Sequence, residues 1–280
     1  LERNSRDRAA FTANDSSFVP EDGIRLSKIK SSFLFLICFV PIFIGFILPI
    51  TELTLWAFES KSSFFSQKFI QTSFNSISLA ITAGLVTAIL AVIINFSIRF
   101  KPSSFIQRLS SLLSVGYAVP GLILAVGMVQ LLIYLDNNAL NSVDVVLTGS
   151  LFGLLLAYII KTYALANSSV ESGYERITSS MDDSSKLLGA SGWSMLIRVH
   201  SPLLRTSFLT AILLVISEVV KELPATLILR PFNFETLAVS TYIYAAEERM
   251  YQAASPAIAI VLIGLIPIFF LSKMIRSSNN

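Results

Sequence analysis

Charge is sparse in this chain. Only 14% of its 280 residues are Asp, Glu, Lys or Arg, against roughly a quarter in an ordinary soluble domain. It has one cysteine, Cys38, and one histidine, His200. A lone cysteine inside an apolar run excludes a disulfide framework and a thiolate metal cluster, and Cys38 is expected to be a small packing residue. A lone histidine excludes a His-rich metal site and any Ser-His-Asp triad not built around His200. No Gly-x-x-x-x-Gly-Lys-Ser/Thr loop occurs, so the chain is not expected to cradle the phosphates of ATP or hydrolyse it. Asp182-Asp183 lacks a second acidic cluster spaced to share a diphosphate-bound Mg²⁺, which argues against prenyl transfer. The basic residues lie in short loops rather than on one face, so the net charge of +3 does not point to nucleic acid. No catalytic residue, metal site or cofactor is expected in this chain.

What is abundant is apolar sequence. Hydrophobic residues make up 54% of the chain and the mean hydropathy is +0.70. They fall in runs of about twenty, the length a helix needs to cross a hydrocarbon layer about 30 Å thick. An all-α, multi-pass membrane protein with six spans follows. The spans cover approximately 33–58, 72–98, 109–135, 145–166, 206–229 and 255–271. Pro41 and Pro49 predict bends in the first. Small residues recur along the second (Ser76, Ala80, Ala83, Gly84, Thr87, Ala88, Ala91), so it is expected to pack inside the bundle. Ala118-Val119-Pro120-Gly121 breaks the third. Lys161, near the end of the fourth, is expected to snorkel.

Residues 1–30 are turn-rich and polar and read as a linker, leaving 31–280 as the membrane domain with a long polar loop at 167–205. An even number of spans puts both termini and the long loop on one side. Fifteen Lys and Arg fall on that side and four on the other, so the positive-inside rule makes it cytoplasmic.

The long loop has its own design. Asp183 to Leu188 form a helical turn that leads to Gly189, and a second amphipathic stretch from Ala190 ends at Pro202. Leu187, Leu188, Trp193, Leu196 and Ile197 would give it an apolar face outside the membrane. Such a face is expected either to dock a partner or to lie on the bilayer as an interfacial helix. His200 beside it is read as a contact residue.

These residues resemble the coupling loop of the permease subunits of binding-protein-dependent ABC importers. That family's pattern is Glu-Ala-Ala, three residues, Gly, nine residues, then Ile-x-Leu-Pro. Here Asp183-Ser184-Ser185, Gly189 and Val199-His200-Ser201-Pro202 keep every spacing, with Asp for Glu, Ser for both Ala and Ser201 for Leu. Lys221-Glu222-Leu223-Pro224-Ala225-Thr226-Leu227-Ile228-Leu229-Arg230-Pro231-Phe232 is similar to the iron(III) branch of that family, as is Pro41 to Pro49. The branch often fuses two permease halves, and Leu1-Glu2-Arg3-Asn4-Ser5-Arg6 is similar to the exit from a first half, so a C-terminal half is expected.

The resemblance implies a type I (MetI-like) ABC importer fold in the bacterial inner membrane. It implies separate ATPase subunits that bind the ATP, a second permease half forming a pseudo-dimer, a periplasmic iron-binding protein and surrounding lipid as partners. Asp183, Ser184, Ser185, Leu188, Gly189, Trp193, Val199 and Pro202 would then meet the ATPase, with Lys186 and Arg198 as rim charges. Pro202 would end a helix where the chain re-enters the membrane. Thiamine, sulfate or polyamine import by the same machinery stays open, and so do a membrane enzyme and a channel.

Glu218, Lys221 and Glu222 form the other unusual group. Charges inside a span default to function, and spacings of three and four put all three on one helix face. They would either line the pathway or form an internal ion-pair cluster near Pro224. Glu247-Glu248-Arg249 with Tyr242, Tyr244 and Tyr251 would serve binding-protein docking or an interfacial helix.

Overall fold

The computed structural model describes residues 27–60, 66–101, 103–138 and 146–278. Most of the expected linker, including Leu1 to Arg6, lies outside the described residues. The chain divides into two units, 1–49 and 50–280.

In the first unit, helix α1 (Lys28–Ile42) buries no residue. A helix apolar on every side is solvated by lipid rather than by water. Cys38 is exposed on it, not the packing residue expected, because no described residue of its own unit covers it. A turn of π-helix, Phe43–Ile47, follows and runs into α2 (Leu48–Glu59). The Leu48 N–H bonds Phe43 O, five residues back. Pro49 has no N–H and its ring crowds the carbonyl four residues before it. The widened turn relieves both problems without ending the helix.

In the second unit, α3 (Gln67–Phe100), α6 (Leu151–Glu175) and α9 (Ser201–Val220) pack on one another. All seven small residues singled out in the second span are buried. Lipid gives helices no hydrophobic reason to associate, so close approach and van der Waals contact must hold them. Gly84 shows how close: a Cβ there would lie 3.2 Å from the carbonyl oxygen of Ile212 on α9. Polar links cross the same core. The Asn95 amide donates to Asn167 Oδ1 at 2.8 Å, Tyr163 OH donates to the same oxygen at 3.1 Å, and Ser110 bonds Tyr163 at 3.0 Å.

The third span is two helices, α4 (Ser104–Val115) and α5 (Gly121–Asn138), separated at the predicted Pro-Gly break. Asp136 near the end of α5 accepts from the backbone of Leu147 and Thr148 at 2.8 and 3.0 Å, which fixes the approach to α6. Between α6 and α9 come two short helices, α7 (Ser179–Leu187) and α8 (Gly192–Met195), then a π turn at Leu196–His200. Beyond α9 lie α10 (Pro224–Leu229), α11 (Leu237–Ala246) and α12 (Met250–Ser278). Among the described residues, six helical runs are long and apolar enough to cross a membrane: Lys28–Glu59, Gln67–Phe100, Gly121–Asn138, Leu151–Glu175, Gly192–Val220 and Met250–Lys273.

Two expectations change here. The fourth and fifth helices extend far into the stretch read as a polar loop, because their amphipathic ends continue the helical ladder beyond the apolar run. Pro202 does not end a helix. It sits in the first turn of α9, directly after a π turn in which Ser201 N–H bonds Leu196 O. The arrangement before Pro49 is thus repeated before Pro202, and for the same reason.

Close packing makes glycine positions unequal. At Gly173 a Cβ would come within 2.8 Å of Leu204 and Ser207 on α9, whereas nothing lies within 4 Å at Gly127. Gly173→Val is expected to cost about 1–3 kcal/mol by overpacking and to lower the thermal midpoint in detergent. Gly127→Val is expected to leave it unchanged within error.

Candidate functional site

The loop between α6 and α9 takes its shape from two local devices. Helix α7 ends in a Schellman motif: Gly189 N–H bonds Lys186 O at 2.9 Å and Ala190 N–H bonds Ser185 O at 3.0 Å. Gly189 holds φ +85°, a left-handed conformation in which a Cβ strains the backbone. Ser191 then caps α8, its side chain and that of Ser194 forming a reciprocal box.

Between these caps, apolar side chains face outward. Leu187 and Leu188 are 90% and 89% exposed, and Trp193 and Ile197 are exposed as well. Asp183, Ser184, Gly189 and Pro202 are also on the surface, while Ser185 and Val199 are half-buried. Asp183 pairs with Lys186 at 3.0 Å on the exposed face, where such a pair orients side chains more than it stabilises. Leu196, expected on the same face, points inward with Met195, because the π turn shifts the register of the following residues.

His200 departs from its expected role. It is fully buried, packed by the rings of Phe96, Phe100 and Tyr174, so it is no surface contact. Its Nε2 lies 3.0 Å from Asp182 Oδ1. The other carboxylate oxygen of Asp182 accepts from Arg99 Nε at 2.7 Å. Arg99 also donates to the carbonyl of Tyr174 at 3.2 Å and to that of Ile177 at 2.6 Å. These carbonyls lie at and just past the C-terminus of α6, where the helix has no donor of its own to offer them. The sequence gives little sign of this arrangement. Arg99 and Asp182 are 83 positions apart, and each reads alone as an ordinary loop charge.

The intramembrane cluster is also rearranged. Glu218 and Lys221 pair at 3.1 Å and are partly exposed. Glu222 does not share their face. Helix α9 ends at Val220, because Pro224 has no N–H to continue the ladder and its ring crowds the carbonyl of Val220. Glu222 turns inward, is buried, and its carboxylate takes Lys161 Nζ and the Ala225 N–H at the start of α10. Lys161 therefore does not snorkel; it spends its charge on Glu222. The Thr226 hydroxyl donates to the Glu222 carbonyl at 2.6 Å, leaving its oxygen to accept from Tyr158 OH. Gly121, the first residue of α5, lies against the pair: a Cβ there would sit 2.8 Å from Lys161 Nζ and 2.9 Å from Glu222 Oε1. Two helix breaks thus meet at one satisfied ion pair. Among the described residues no group of three His, Cys, Asp or Glu side chains is arranged to hold a metal ion.

Among the described residues, six helices are long and apolar enough to cross a membrane, and a capped helical loop with an outward apolar face lies between the fourth and fifth. The fold has a solved counterpart. A bacterial alginate ABC transporter, solved in complex with its alginate pentasaccharide-bound periplasmic protein, matches with a TM-score of 0.65 at 18% identity, over 89% of this chain and 96% of that one. In sequence the chain is 26% identical over 234 residues, 80% of its length, to the Fe(3+)-transport system permease protein FbpB 2 of Haemophilus influenzae. It is 32% identical over 119 residues to PhnV of Salmonella typhimurium, a permease ascribed to 2-aminoethylphosphonate transport. No family model matches. The match covers 44% of each of these curated relatives, so the chain spans about half their length or less. The chain is similar to ABC-transporter permeases and carries helices fit for a multi-pass membrane protein.

The buried pair has a mutational signature. Glu222→Ala leaves Lys161 charged and uncompensated, which typically costs about 3–5 kcal/mol. The thermal midpoint in detergent is expected to fall sharply, and Lys161→Met combined with Glu222→Leu is expected to recover much of that loss.

Proposed function

We propose that this chain is one permease half of an ATP-driven importer of iron(III), delivered by a periplasmic binding protein. Both termini and the α7–α8 loop would lie in the cytoplasm, where the charge asymmetry of the loops puts them. The observation that carries the substrate is the likeness to FbpB 2 across 80% of the chain. The match to less than half of that relative supports a second permease half, fused or separate, as the partner across the pathway.

The loop supplies the coupling. Leu187, Leu188, Trp193 and Ile197 project from two rigidly capped helices, and an apolar helix face of this kind seats in a groove. The groove belongs to the ATPase subunit, which binds and hydrolyses the ATP. Closure of the two ATPases would push the loop and rock the spans between outward-open and inward-open arrangements, a switch between two packed states of one bundle.

A second reading has its own support. The PhnV match is shorter but of higher identity, and it favours a phosphonate as substrate. Deleting the full-length gene is expected to impair uptake of radiolabelled iron(III). Normal iron uptake with lost uptake of 2-aminoethylphosphonate would select the second reading instead. Docking is tested apart from substrate. Gly189→Trp strains the left-handed cap, and the ATPase is expected to be lost from pull-downs of the transporter. An intact complex would remove the loop from the coupling role.

A further inference from the structure

The side chains that face outward from the loop explain how it could be gripped. They do not explain how a push on it reaches the spans. Helix α7 is nine residues long, and much of its surface, including Met181, Asp183 and Leu187, is exposed. A short helix so placed would roll under load unless something fixed its inner face.

One side chain does that. Asp182 is 6% exposed and is the only residue of α7 that is buried. Its two carboxylate oxygens reach two different spans: Arg99 at the end of α3, and His200 in the π turn leading into α9. Arg99 in turn holds the carbonyls of Tyr174 and Ile177, which ties the end of α6 to the same point. The three helices that pack together as the core of the unit, α3, α6 and α9, therefore converge on one carboxylate of the loop.

The chemistry suits a joint that bears load. Guanidinium offers a planar fork of donors, so Arg99 meets a carboxylate and two carbonyls from three separate nitrogens, whereas a lysine's three donors sit on one atom. Charge-assisted hydrogen bonds of this length are about twice as strong as neutral ones. The rings of Phe96, Phe100 and Tyr174 enclose His200, and low surrounding polarity strengthens each bond further. The π turn before Pro202 brings His200 inward while its neighbour Arg198 stays exposed.

We propose that Arg99, Asp182 and His200 are positioning residues that lock the docking loop to α3, α6 and α9, so that loop and spans move as one body. This rests on the coupling role proposed for the loop. It adds that transmission runs through Asp182, a residue that does not face the ATPase.

The test uses the purified transporter, full-length and with its ATPase, after Cys38→Ser. Nitroxides at Ser180→Cys on the loop and Phe74→Cys on α3, both exposed, report how the loop sits on a span by pulsed electron resonance. With the joint intact, one narrow distance is expected, the same with and without ATP. Asp182→Asn keeps the shape but removes the charge, and Arg99→Lys keeps the charge but loses the fork. Each is expected to lose the narrow distance and to make it ATP-dependent while the ATPase still co-purifies. The proposal is overturned if either variant, assembled, keeps the parent's distribution in both states, or if the parent's own distance shifts with ATP. It is also overturned if both variants shed the ATPase, since the residues would then serve folding alone. Failure of the docking reading looks different: Gly189→Trp would retain the ATPase, whatever the distances at Asp182.

Discussion

A chain that lives in hydrocarbon must satisfy its polar groups from within, and the second unit is arranged around that constraint. Lys161 and Glu222 meet between helices, with the first turn of α10 adding a backbone donor to the carboxylate. Arg99, Asp182 and His200 meet at the end of the bundle that carries the loop. Each group alone would be a large penalty, since an unpaired buried charge finds no water to replace its partner. Together they fix which helices are neighbours. The apolar core between them, built on Ala80, Ala83, Ala88 and Ala91, gives closeness but little direction. Small side chains slide past one another more readily than a forked guanidinium leaves its carboxylate.

The helix irregularities fall beside these polar centres. The break before Gly121 and the break after Val220 both open onto the Lys161–Glu222 pair, where the absence of a Cβ at Gly121 makes room for it. The π turn before Pro202 carries His200 into its pocket. The π turn before Pro49 has the same cause, a proline that cannot take part in the ladder. The bundle thus consists of straight helical pieces joined at a few defined irregularities.

The loop illustrates how much of a site can be read in one dimension. Its register was legible because a Schellman cap and a capping box are local: Gly189 and Ser191 act on residues within a few positions. The face it turns outward was mostly legible too, since helical period decides it; Leu196 was misjudged because a π turn breaks that period. Lys161 and His200 were misjudged for a different cause. Their partners are Glu222 and Asp182, far away in sequence, and a polar residue reads as exposed until its partner is known.

The succession of membrane-length helices and its breaks could be read from the chain alone. Apolar runs of membrane length, prolines and glycines at the breaks, and the charge asymmetry of the loops act through solvent and local backbone geometry, which need no knowledge of the fold. Which charges meet is a matter of the folded bundle. Glu222 left the face it seemed to share with Glu218 and Lys221 because Pro224 ended the helix and Lys161 lay across the bundle. Asp182, one position before the motif, became the point where three helices hold the loop, because ion pairing depends on distance in space and not on order along the chain.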